Sequence, residues 1–130
     1  MNSRDWDVDL PGTRDEPQQA VPRPPARPEA VLAGLDSDDW QVREASCRVA
    51  ASQGIDQAAV PLEGLLADPD PRVRSAAALA LGAVGRERAA RALNGLLMDP
   101  DTVLASAAED ALEQIAARLD RPDLRPGTDY

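Results

Sequence analysis

Between residues 29 and 119 small and apolar residues recur at three- and four-residue steps in six stretches, each bounded by a short polar break. That spacing lines up one face of an α-helix, so it predicts amphipathic helices over 29–35, 40–53, 56–67, 72–84, 87–98 and 102–119. The stripe of the second stretch is Val42, Ala45, Ser46, Val49 and Ala50, and the fourth repeats it with Val73, Ala76, Ala77, Ala80, Leu81 and Val84. The sixth has Leu104, Ala107, Ala108, Ala111, Leu112 and Ile115 at the same positions. The third and fifth stretches match each other through Leu62, Leu65 and Leu66 against Leu93, Leu96 and Leu97. The array over 29–119 is therefore expected to be all-α.

The breaks carry helix punctuation. Pro28 suits a first helical turn, where its missing N–H has no partner to lose. Asp36 to Asp39, Asp68-Pro-Asp-Pro71 and Asp99-Pro-Asp101 supply carboxylates that cap the helices after them. Gly54 is placed for a left-handed cap, and Gly85 stops the fourth helix. Leu35, Leu66 and Leu97 are spaced by 31 residues, and the turn and helix signals move with them. A fixed period of this size predicts three stacked helical hairpins.

Leu-Leu-x-Asp-Pro-Asp-Pro-x-Val-Arg-x-x-Ala-Ala-x-Ala-Leu-Gly-x-x-Gly, from Leu65 to Gly85, resembles a HEAT repeat of the short bacterial kind also found in phycobilisome-lyase-like proteins. The first copy departs from it at Trp40 and Gln53; the third lacks the helix Arg and the closing Gly-x-x-Gly. The resemblance implies a short right-handed α-solenoid over 28–119 that binds other macromolecules along one face. Its motif residues are structural and bring no catalytic role.

The copies differ in a way that predicts how they are joined. A turn acid precedes a helix arginine by six residues in the middle copy, Asp68 and Arg74. The first copy has Arg43 but Ser37 in place of the acid, and the third has Asp99 but Ala105 in place of the arginine. Pairing within a copy strands Arg43 and Asp99. Pairing each arginine with the next copy's acid, Arg43 with Asp68 and Arg74 with Asp99, strands nothing, so a ladder of charge-assisted hydrogen bonds between copies is expected. Ala dominates the inward positions and three units is the minimum for such an array, so stability is expected to be marginal, with the tails or a partner serving as caps.

Projecting the period onto the second helices gives the rows Glu44/Ser75/Ser106, Cys47/Ala78/Glu109, Arg48/Leu79/Asp110 and Ala51/Gly82/Glu113 on the outward, concave face. Its centre, around Ala78, Leu79, Gly82 and Ala83, reads either as a small apolar patch next to an acidic end formed by Glu109, Asp110 and Glu113, or as small residues that permit tight packing with a neighbouring helix or tail. Glu44, Arg48 and Ser75 complete the candidate partner-binding face.

Residues 1–27 are rich in Pro and Asp and form a flexible arm by composition, and 120–130 form a tail. Within the arm, Trp6-Asp-Val-Asp-Leu10 alternates apolar and acidic residues, so Trp6, Val8 and Leu10 are candidate docking residues. The whole chain of 130 residues carries 14 basic and 23 acidic side chains for a net charge of −9, which argues against nucleic acid or an anionic membrane as partner. Every basic residue is Arg and there is no Phe or His, a composition resembling that of GC-rich bacterial genomes. The lone Cys47 excludes an internal disulfide, and no apolar run has signal-peptide or membrane-spanning character, so a cytoplasmic protein is expected. Without His there is no triad or imidazole metal site, and the paired turn acids lack the Gly and distal Glu of a calcium loop. Arg86, Arg88 and Arg91 read as a solvated helix face. The expectation is a non-catalytic protein–protein interaction module without cofactor or metal, an accessory subunit or assembly factor of a bacterial complex. Bilin-lyase-like chromophore handling and HEAT-like nucleic-acid binding are the alternatives.

Overall fold

The computed structural model describes residues 26–127. They form six α-helices: α1 (Pro28–Leu35), α2 (Trp40–Ser52), α3 (Ala59–Leu65), α4 (Pro71–Val84), α5 (Glu87–Asn94) and α6 (Thr102–Leu119). Each odd helix packs on the even helix after it, and α4 packs on both α2 and α6. The middle hairpin is therefore enclosed on both sides, as stacked copies require. Between the helices lies a core rich in small residues, with Ala50, Ala77, Ala80, Ala108 and Ala111 buried alongside Leu62, Leu81, Leu93, Leu112 and Ile115.

The three turns before α2, α4 and α6 are built alike. Ser37 Oγ, Asp68 Oδ2 and Asp99 Oδ1 accept from the backbone N–H two residues on, at 3.1, 2.8 and 2.9 Å. Asp39, Asp70 and Asp101 then cap the helices by accepting from Gln41, Arg72 and Val103 N–H at 2.9, 2.8 and 3.1 Å. Two successive short side chains thus satisfy donors that a helix start leaves open. At the other end of α2, Gly54 has φ 60, the left-handed conformation that its position anticipates.

Two helices are shorter than their hydrophobic periods. The stretch opening at Asp56 begins as a 3-10 turn, Asp56–Ala58, and becomes α-helical at Ala59. Pro61 explains this, because an α-helix begun earlier would bring its ring against the carbonyl of Gln57. Beyond the ends of α3 and α5 the chain tightens into three-residue bonds, Asp68 N–H to Leu65 O at 3.1 Å and Asp99 N–H to Leu96 O at 3.1 Å. Asp68 and Asp99 each precede a proline, which disfavours helical geometry at those residues.

The first helix pair is less covered than its period suggests. Val42 is 41% exposed, whereas its counterparts Val73 and Leu104 are buried; among the described residues no hairpin precedes α1 to cover that side of α2. At the other end, the segment after α6 supplies a cap. Leu124 is buried against α6 in the short 3-10 turn Pro122–Leu124, and Arg125 reaches Glu113 at 3.4 Å. Asp120, in a left-handed conformation, reverses the chain to allow this.

Candidate functional site

The junction between the first and second hairpins holds the predicted rung. Arg43 Nε and Nη2 donate to Asp68 Oδ1 and Oδ2 at 2.8 and 3.1 Å. Asp68 is buried, and Arg43 Nη1 donates to the carbonyl of Ser37 at 2.8 Å, so the fork is fully used. The carboxylate and the hydrogen bonds to it hold the Arg43 guanidinium above its ordinary pKa. Arg74 repeats half of this arrangement: Nη1 donates to the Asp68 carbonyl at 2.7 Å. Its carboxylate partner is Asp101, at 3.9 Å, in place of the expected Asp99. Asp101 offers Oδ2 to Arg74 while Oδ1 caps α6.

A contact that the sequence reading missed reinforces the first junction. Arg72 lies 3.4 Å over the ring of Trp40 and is held there by Asp70, whose oxygens accept from Nε and Nη2 at 3.0 and 2.9 Å. Trp40 stands where the later copies have Pro71 and Thr102, so the departure from the repeat is what supplies the stacking surface.

Beside this junction, α2 and α4 enclose a groove of about 610 Å³, closed at one end by Gln114 of α6. Ala76, Ala80, Ala83 and the edge of Leu79 give it an apolar wall. Glu44, Arg48, Arg72 and Ser75 line its polar side. Arg48 pairs with Glu44 at 2.8 Å yet keeps its side chain 70% exposed; Arg72 is 58% exposed. Leu79, 49% exposed, is a ridge, for a second groove of about 370 Å³ lies on its other side. That one runs between α4 and α6 past Val103, itself 66% exposed, to Asp110.

Of the expected face, Glu44, Arg48, Ser75 and Leu79 share the first groove, and Ser75, Leu79 and Asp110 share the second. Ala78 and Gly82 are not on the outward face; both are buried. Their two rows point sideways at the next hairpin: a Cβ on Gly82 would meet Ala111 Cα at 3.1 Å and collide with Gln114 Oε1. In the last helix the same rows meet no further hairpin among the described residues, and there Glu109 and Glu113 are exposed and turned to the returning tail. They belong to the end of the stack and not to the grooves. Trp6, Val8 and Leu10 lie outside the described residues. Arg72 and Gln114 were missed, Arg72 because its row begins with the neutral Gln41 and ends with Val103.

Cys47 is fully buried, and desolvation, aided by Asp68 and Glu44, pushes its thiol up to about 12. It is a packing residue at neutral pH, not a nucleophile. Among the basic cluster, Arg88 pairs with Glu63 of α3 at 2.9 Å and Arg86 with Glu87 at 3.7 Å. Among the described residues no helix is long and apolar enough to cross a membrane, and no group of three His, Cys, Asp or Glu side chains is placed to hold a metal ion.

The family model for HEAT repeats matches residues 28–113, more than half of the chain. No curated protein matches the sequence.

Proposed function

Because the chain belongs to the HEAT-repeat family, we propose that it is a non-catalytic protein-interaction module, which receives an extended segment of a partner along the exposed faces of α2, α4 and α6. The proposed setting is a bacterial cytoplasmic complex, in which a chain this small serves as an accessory subunit or assembly factor. The observation that carries the reading is the Leu79 ridge, an exposed leucine between two grooves with Arg48 and Arg72 on one side and Asp110 on the other. Such a face takes apolar side chains from an extended peptide and sorts its charges by position, acidic over α2 and basic over α6.

Affinity purification of the full chain from its native host, beside the Leu79→Glu variant, tests this. The expected result is a stoichiometric protein partner whose affinity falls at least about tenfold in the variant, since losing one buried leucine is worth ~1.5–3 kcal/mol. A bound tetrapyrrole or salt-sensitive DNA binding in place of the protein would overturn it.

A further inference from the structure

The groove beside Leu79 stands next to the point where the described chain begins. Gln53, one residue beyond the groove residue Ser52, grips the backbone of Ala26. With the amide turned so that its nitrogen faces the carbonyl, Gln53 donates to Ala26 O at 3.1 Å and accepts from Ala26 N–H at 3.2 Å. The described chain therefore begins against Gln53, the residue that follows Ser52 of the groove wall.

The arm also has the chemistry that the groove asks for. In an extended chain, Trp6, Val8 and Leu10 fall on one edge and Asp5, Asp7 and Asp9 on the other. Within residues 4–10, followed backward, Asp9, Asp7 and Asp5 come before Arg4. The face runs in the matching order from Gln53: Arg48 and Arg72 on α2 and α4, then the Leu79 ridge, then Asp110 on α6. Both arginines keep more than half of their side chains exposed, leaving donors for a second carboxylate.

The length is suitable. From Leu10 to Ala26 a flexible chain has a mean end-to-end distance of about 20–24 Å, and a fully extended polyproline stretch reaches about 50 Å. Two helix spacings of about 8–10 Å span the face from α2 to α6. A linker whose mean length matches the span gives a local concentration of about a millimolar.

We infer that residues 4–10 of this chain occupy the groove in cis, with Trp6, Val8 and Leu10 against the Leu79 wall and Asp7 and Asp9 on Arg48 and Arg72. The arm is then a built-in competitor that an incoming partner segment must displace. This rests on the reading of the groove as a peptide site, and the test separates the two.

A nitroxide label is placed on the full chain through Gly12→Cys; Cys47 stays unlabelled because its thiol is buried and its pKa is about 12. The expected result is paramagnetic broadening of the Ser52, Ser75, Leu79 and Ala83 amides. The broadening should be lost when Trp6→Ala, Val8→Ser and Leu10→Ser are combined, and when Leu79→Glu is introduced. A synthetic peptide of residues 3–12 should bind the triple variant about tenfold tighter than the wild type, the ratio for a Kd of ~100 µM against a ~1 mM tethered competitor. If the peptide binds the groove of both chains equally and the label broadens nothing there, self-occupancy is refuted and the peptide site stands. If neither peptide nor arm reaches the groove, both readings fail. Broadening seen only when labelled chains are mixed with isotope-labelled, label-free ones means that the arm is exchanged between copies, which overturns the cis arrangement.

Discussion

The two junctions of this short stack are held by different means, although the residues on either side follow one period. At the first, between α2 and α4, a buried Asp68 receives both arms of Arg43, and Arg72 stacks on Trp40. At the second, between α4 and α6, the corresponding charge contact is a 3.9 Å approach of Arg74 to Asp101. What replaces the rung is backbone proximity. Gly82 lets α4 lie against Ala111 of α6, and Arg118 donates to the carbonyls of Gly82 and Gly85 at 3.0 and 2.5 Å, closing the C-terminal end of α4. That arginine lies partly desolvated, which lowers its pKa from the ordinary value, but the carbonyl dipoles at a helix end favour its charge. A repeat therefore conserves the place where neighbours meet without conserving the force that holds them. The groove opens beside the polar junction, where Arg72 serves both the junction and the groove wall.

Matched substitutions at the first junction should show the largest effect. Asp68→Asn keeps an oxygen for the turn but leaves the Arg43 guanidinium beside a neutral amide in a buried setting. Breaking one side of such a pair leaves the other charge without its partner, and in a stack this small the urea midpoint measured by circular dichroism should fall steeply. A midpoint equal to that of the wild type would show that Asp68 contributes to geometry and not to stability. At the second junction the equivalent weak point is Gly82. Gly82→Val pushes a branched side chain into Ala111 and Gln114, and an overpacked core typically loses about 1–3 kcal/mol. The amides of α6 should exchange faster in this variant than those of α2; uniform loss of protection would mean that the two junctions do not open separately.

The sequence made the helices legible because their periodicity is long and their turns are chemically marked, and the family match over 28–113 agrees with the hairpin array. The Arg43–Asp68 rung was legible for a stricter reason: the two charges missing from the end copies are the ones that have no neighbour. The same logic applied to the row Cys47, Ala78, Glu109 would have found the sideways-facing positions, since a row that is apolar twice and charged at the last copy is one that faces the next unit. Of the two readings open for Ala78 and Gly82, tight packing is the one the structure shows; the outward reading misplaced them, and with them Glu109 and Glu113. The choice of Asp101 over Asp99 was not legible. Both acids stand in the same turn, two residues apart, and the residue period is the same for either, so it does not say which one Arg74 meets.

The asymmetry of the rungs gives a third expectation, smaller than the first two. Asp101→Asn retains an N-cap, because Asn caps helices about as well as Asp. It removes only the long contact to Arg74, whose side chain and that of Asp101 are about a quarter exposed. The expected cost is below about 0.5 kcal/mol. A cost approaching that of Asp68→Asn would show that the second rung tightens in solution and that the two junctions are alike after all.

The smallest effect is a pH dependence confined to the first junction. The hydrogen bonds from the Arg72 side chain, joined by its backbone N–H and opposed by burial, lower the Asp70 pKa to about 2 in the folded chain, from an ordinary value of 3.8. A depressed carboxylate pKa stabilises the fold above the unfolded value, and that stabilisation is lost as pH falls through the folded one. Asp70→Asn keeps the cap on α4 but cannot titrate, and it loosens the clamp that holds Arg72 over Trp40. The difference in urea midpoint between wild type and variant should thus be steady from pH 7 to about 4 and shrink from there toward pH 2. The Trp40 emission, read in a Trp6→Phe background, should shift with it as Arg72 leaves the ring. A difference that persists unchanged at pH 2 would mean that the Asn variant differs through its cap, and that the Asp70–Arg72–Trp40 chain contributes no charge-dependent hold on the junction.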